Sequence, residues 1–296
     1  MIRILGTIFA GLFGLAFGSF LNVCLSRWPA GESIVHPHSH CRNCDHTLAW
    51  WENIPLFSWL ALRGRCHKCH AWIGWRYPLV EFAVGALWAA QAWRLTSDIF
   101  AELLGTAPEV SPNFFWPVPL IAMMLFSWLL LALLALDAEH LWLPDFLTWP
   151  GIALGILYSA ANEQHRVWGI SGSFIPWKFL GGRLLAILAA AALILVIRWT
   201  YWLIRRREGI GLGDAKLMAL LAAWLGLPGA LLAFFLGITL GAIVSVALLA
   251  LPNRPGSPRA WALKKLPLGT FLCIGGIVSS LWGPPLIAAY LHWAGF

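Results

Sequence analysis

Apolar runs close to the length of a membrane's hydrocarbon core recur along the chain, and no other feature restricts its fold as much. They cover about 4–26, 79–93, 118–136, 144–160, 179–204, 215–227, 229–251 and 268–292. A helix needs roughly 20 predominantly apolar residues to cross. With 60% hydrophobic and only 11% charged residues among 296, a soluble globule is excluded. The expected fold is an all-α polytopic membrane protein with about eight transmembrane helices. The sixth run is short, and its separation from the seventh rests on Pro228-Gly229, read as a tight turn.

Ile4 to Phe20, behind Arg3, has the outline of a secretory signal, but no clear small-residue cleavage site follows it. Gly14 and Gly18 are spaced for close packing of a retained helix. Orientation follows from Lys and Arg, which stay on the cytoplasmic side. One set of loops holds 14 of them, including Arg27, Arg42, Arg63, the run Arg205, Arg206 and Arg207, Lys216, Lys264 and Lys265. The other side holds Arg3, Arg94, Arg166, Lys178 and Arg183. Both termini are therefore expected outside. The net charge of +7 suits an anionic leaflet and requires no nucleic acid as a partner.

Between the first two helices lies the only sizeable polar stretch, about 27–78. It carries Cys41-Arg-Asn-Cys44 and, after 21 intervening residues, Cys66-His-Lys-Cys69. Two residues between cysteines let both sulfurs of one turn reach the same ion, and the second pair completes a tetrahedral zinc shell. Two disulfides are the competing reading, disfavoured in a reducing cytoplasm. Four thiolates close the shell, so the expected zinc is structural, and it supplies much of the folding energy of so short a segment. His36, His38, His40, His46, His67 and His70 are read as solvated loop residues, and Cys24 and Cys273 as small buried hydrophobes. Glu81, at the entry of the second helix, suits the positive end of its dipole.

Two aspartates stand where apolar runs meet polar loops. Asp137 follows Leu133-Leu-Ala-Leu136, and Asp214 follows the glycines of Glu208-Gly-Ile-Gly-Leu-Gly-Asp-Ala-Lys216. A charge at a membrane edge is costly unless it pairs, reaches water or does chemistry. By the loop assignment both face the cytoplasm. Two neighbouring carboxylates cannot easily both ionise, so one activates water while its protonated partner donates to a carbonyl oxygen, the requirement for peptide hydrolysis. Gly209, Gly211 and Gly213 permit a non-helical backbone that an extended peptide can approach, with Glu208 and Lys216 beside it. The spacing is not that of a dinucleotide loop. Asp145, after Pro144, reads as a first-turn carboxylate of the fourth helix.

Gly18-Ser-Phe-Leu-Asn22, Cys41-x-x-Cys44, Trp51-Glu-Asn-Ile-Pro-Leu-Phe-Ser-Trp59, Cys66-x-x-Cys69, Asp137 through Leu143-Pro-Asp145, and Gly209-Ile-Gly-Leu-Gly-Asp-Ala-Lys-Leu217 together resemble the type IV prepilin peptidases over nearly the whole chain. The resemblance implies a bifunctional enzyme of the bacterial inner membrane. It would cut the leader from prepilins and pseudopilins, then methylate the new amino terminus with S-adenosylmethionine. The family's catalytic aspartates match Asp137 and Asp214, and the zinc cysteines Cys41, Cys44, Cys66 and Cys69 lie in the region it associates with methyl transfer. Glu52, Asn53 and Pro55 fall in the best-matching part of that region, without an assigned role. The first cysteine pair lacks the family's usual proline, and Ile210 stands where Met is common.

The expected organisation is a first transmembrane helix at 1–26, a cytoplasmic zinc-binding loop domain at 27–78, a second helix and external loop at 79–117, and a membrane aspartyl peptidase domain at 118–296. The alternative of a different class is a non-enzymatic assembly protein that recruits partners through its zinc loop.

Overall fold

The computed structural model describes residues 2–103, 117–168, 176–207, 211–250 and 266–295. Helix α1 (Ile2–Arg27) leads into the cysteine loop, which holds the short helix α2 (Phe57–Ala61). Then follow α3 (Arg76–Leu103), α4 (Pro117–His140), α5 (Asp145–Trp168), α6 (Pro176–Arg205), α7 (Leu212–Ala250) and α8 (Leu268–Trp293). Two isolated antiparallel bridges, His40 with Thr47 and Arg65 with Trp72, are the β-structure among the described residues.

Among the described residues, five stretches are long and apolar enough to cross a membrane: Arg3–Ala30, Val118–His140, Leu180–Arg205, Leu212–Ala250 and Leu268–Trp293. At about 1.5 Å per residue, α7 is roughly twice the length of a single crossing. Its helical geometry breaks at Gly226, where φ is 73° and ψ 175°. That lies two residues before the expected turn, for a physical reason: this backbone region is open essentially to glycine alone. Pro228 and Gly229 continue as helix. Arg183 Nη1 donates to Ala222 O (3.4 Å), one turn before the break.

The chain divides into two units, the first running to Ala132 and the second from Leu133. In the first unit α1 packs along α3 through small residues. A Cβ on Gly14 would lie 2.9 Å from Gly85 Cα, and one on Gly18 2.6 Å from Glu81 Cα, so the two backbones touch there. The indole N–H groups of Trp88 and Trp128 donate to Met124 O and Phe17 O.

In the second unit the first half of α7 is the core. Leu217, Met218, Leu220, Leu221, Ala222 and Ala223 are fully buried, and α5, α6 and α8 pack against this helix. By contrast Leu184, Leu185, Leu188 and Val196 of α6 are exposed, as expected for a face that meets lipid tails. Cys24 and Cys273 are buried, in line with their reading as small hydrophobes.

Candidate functional site

Asp137 lies in the last turn of α4. The chain leaves that helix through Leu141, whose φ of 52° puts it in the left-handed region. Its N–H donates to Asp137 O (2.9 Å), the single bond of a left-handed helix cap. Leu143 and Pro144 follow, and Asp145 opens α5 as a first-turn carboxylate. Asp214 lies in the first turn of α7, where the positive end of the helix dipole favours an anion.

Asp137 and Asp214 line one cavity of about 510 Å³, together with Leu143, Gly211 and Gly213. Both are buried, at 6% and 8% exposure, in a chain where burying a carboxylate is costly. Each is held in place. Thr270 donates to Asp137 Oδ2 from its N–H (2.6 Å) and from its hydroxyl (3.1 Å), and Gly211 N–H donates to Asp214 Oδ2 (3.2 Å). The cavity's other two charges, Asp145 and Lys216, form an exposed ion pair. Lys216 therefore has a partner that sequence reading did not assign.

The glycines divide. Glu208 and Gly209 lie outside the described residues. Gly211 lines the cavity, while Gly213 is already inside α7. At Gly213 the need is for room, not a non-helical backbone: a Cβ there would come within 3.1 Å of Leu143. Thr270 and Gly269, at the start of the last apolar run, were not singled out from the sequence. Gly269 is buried, and a Cβ on it would lie 2.9 Å from Asp137 Oδ2. The available signal was a small residue and a hydroxyl at the start of a helix, just after Pro267.

The four loop cysteines also converge. Their sulfurs all lie within 4.8 Å of one another, with Cys41 and Cys69 at 3.7 Å and Cys44 and Cys66 at 4.0 Å. Thiolates bound at about 2.3 Å to one tetrahedral ion are spaced roughly 3.8 Å apart, so this set fits a metal. None is disulfide-bonded.

The two knuckles are built alike. Cys41 N–H donates to His46 O and Cys66 N–H to Ala71 O, both at 2.9 Å, and Asp45 and His70 take positive φ at matching positions. The Ala71 N–H and the Asn43 amide at Cys69 Sγ push that thiol down to about 6, favouring the thiolate that ligates metal. Of the histidines, His46 is not merely solvated: its Nε2 lies 3.2 Å from Glu52 Oε2. Glu81 differs from expectation as well, accepting Leu56 N–H (2.8 Å) and so tying the loop to α3.

Residues 12–95 match the family described as Bacterial Peptidase A24 N-terminal domain, and residues 124–246 match the Type IV leader peptidase family. The chain is 34% identical over 312 residues to the prepilin leader peptidase/N-methyltransferase of Stutzerimonas stutzeri, covering 96% of this chain and 93% of that protein. It is 35% identical over 309 residues to the protein of the same name from Pseudomonas aeruginosa, with the same coverage. To the one from Aeromonas salmonicida it is 32% identical over 305 residues, covering 95% and 92%. No solved structure gives a significant match.

Proposed function

The chain belongs to the type IV leader peptidase family, and from that premise we propose that it is an aspartyl endopeptidase of the bacterial inner membrane. It cleaves the leader of type IV prepilins and pseudopilins and N-methylates the new amino terminus with S-adenosylmethionine. The observation that carries the peptidase half is the pair of buried carboxylates, Asp137 and Asp214, in one cavity.

In this reading one aspartate, ionised, takes a proton from water as the water attacks the scissile carbonyl. The other, protonated, donates to the carbonyl oxygen. Thr270 and Gly211 fix the two carboxylates so that the remaining oxygens are directed by their hydrogen bonds. Gly211, Gly213 and Lys216, which line the cavity, lie beside the incoming peptide. The N-methyltransferase names of the relatives favour an enzyme over an assembly protein.

Further parts of the reading concern metal and topology. The ion of the cysteine cluster is zinc, held by Cys41, Cys44, Cys66 and Cys69 in a structural role, on the strength of the all-thiolate donor set. The membrane is crossed eight times, with α7 counted as two segments on either side of Gly226. The 27–78 loop domain and both aspartates are cytoplasmic, and 118–296 is the peptidase domain.

The test is processing of a purified prepilin. Asp137→Asn and Asp214→Asn should each lower cleavage by about 10²-fold or more while the protein stays folded. A folded variant that still cleaves at the wild-type rate would remove that aspartate from the mechanism.

A further inference from the structure

The two cysteine knuckles share one backbone plan and differ where each is closed by an antiparallel bridge. In the first the bridged residues are His40 and Thr47; in the second they are Arg65 and Trp72. Bridge partners send their side chains out on the same side, so the second knuckle presents a guanidinium and an indole together. Both residues are exposed, Trp72 by 57%. A lone exposed apolar residue needs no explanation, but Trp72 is not alone.

Trp72 packs edge to face on Trp59 (5.9 Å) and on Trp75 (6.1 Å). Trp59 is fixed by its N–H bond to Ile73 O (3.1 Å). Gly64 leaves room for the Trp72 ring, which a Cβ there would meet at 2.7 Å. Trp75, 61% exposed, precedes α3 and accepts Leu79 N–H on its carbonyl (3.2 Å), so the helical course already runs through it. From Trp75 onward, Leu79, Phe82 and Trp93 are exposed in turn. Their spacing keeps the helical period, which puts all four on one face.

That face meets lipid. α1 is long and apolar enough to cross the membrane, and α3 runs antiparallel beside it. Asn22 bonds to Tyr77 O at one end of the pair, and Arg3 lies 3.6 Å over the Trp93 ring at the other. The paired length is about 28 Å at roughly 1.5 Å per residue, close to the thickness of a hydrocarbon core. Gly85 and the backbone of Glu81 meet α1, so the exposed stripe is left to the acyl chains. Tryptophans stand at both of its ends, where such rings settle at headgroup level. Arg63, Arg65 and Lys68, all exposed on the second knuckle, carry the charge that an anionic headgroup attracts.

We propose that the second knuckle is seated on the membrane surface, with the Trp72 and Trp75 indoles among the headgroups and Arg65 on the phosphate of an anionic lipid. The first knuckle, with His40 and Thr47 at the matching positions, faces water. The metal site is thereby tied to the bilayer by one knuckle only. This placement rests on the crossing of α3 in the topology given above.

The test uses purified full-length protein in nanodiscs, irradiated with photoreactive lipids, with adducts mapped by peptide mass spectrometry. Phosphatidylglycerol and phosphatidylcholine probes carry a diazirine near the headgroup, and a third lipid carries it deep in the chain to report on 79–93. Residues 63–75 should be labelled by the shallow probes and residues 38–47 should not. Arg65→Gln should lower labelling of 63–75 by phosphatidylglycerol about fivefold, the factor for about 1 kcal/mol per basic residue at an anionic surface, and leave that by phosphatidylcholine unchanged. Trp72→Ser should lower both. Metal content is measured on each variant, and the wild-type contrast between the knuckles stands without them. Equal labelling of the two knuckles, or none at 63–75 while 79–93 is labelled, overturns the membrane seat alone. Absence of adducts at 79–93 as well overturns the crossing of α3, and the membrane seat with it.

Discussion

Thr270 supplies two of the hydrogen bonds that hold Asp137, one from its backbone and one from its hydroxyl. Thr270→Val keeps the first and removes the second. With a bond to a charged group contributing about 1.5–3 kcal/mol to the folded state, the unfolding temperature should drop, and prepilin cleavage should fall roughly tenfold as Asp137 loses part of its support. Gly269→Ala should do more harm, because its Cβ meets Asp137 Oδ2 at 2.9 Å and Leu143 at 3.1 Å. A kcat loss larger than that of Thr270→Val is the expected outcome in the same assay. The aspartates themselves were legible, since a carboxylate at the edge of an apolar run is conspicuous. Their supports were not: Thr270 lies 133 residues from Asp137 in the chain, and small or hydroxyl residues at helix starts are common. Lys216 was visible as a charge, but its pairing with Asp145, 71 residues away, depends on where α5 and α7 come together.

Among the elements, α7 shows how one residue resets a helix. Gly226 takes a backbone that an alanine would adopt only with strain, so Gly226→Ala should cost about 1–3 kcal/mol, read as a lower unfolding temperature in detergent. Close helix contacts set a second limit. A Cβ on Gly275 of α8 would lie 2.2 Å from Ala233 O of α7, so Gly275→Ala should destabilise by about 3 kcal/mol, the upper range for overpacking. In the cysteine loop the two knuckles bring the ligands together. Removing the ion with a strong chelator should unfold the loop and change the fluorescence of Trp59, Trp72 and Trp75, which pack on one another. Unchanged fluorescence in metal-free protein would mean that the loop folds without it. The cysteine spacing announced this element plainly, because ligand geometry is local. The break at Gly226 was misplaced by two residues, because Pro228-Gly229 is the stronger turn signal by composition alone.

For the whole molecule, the distribution of Lys and Arg leads to a topology with both termini outside and the loop domain inside. Reporter fusions check it: a fusion after Phe296 should be active only as a periplasmic reporter, and one within 27–78 only as a cytoplasmic reporter. The reverse pattern would put the aspartates on the wrong side for a cytoplasmic leader. At this scale the sequence alone determined a helical membrane protein, its cysteine cluster and its two aspartates, since hydropathy, ligand spacing and isolated charge are properties of short stretches. Only the tertiary structure decided which groups share a space. It set Asp137 and Asp214 in one cavity with Thr270 and Gly269 behind them. Those relations arise from helices packed at van der Waals distance, where a missing Cβ or one hydrogen bond selects the neighbour, and no local pattern in the chain encodes them.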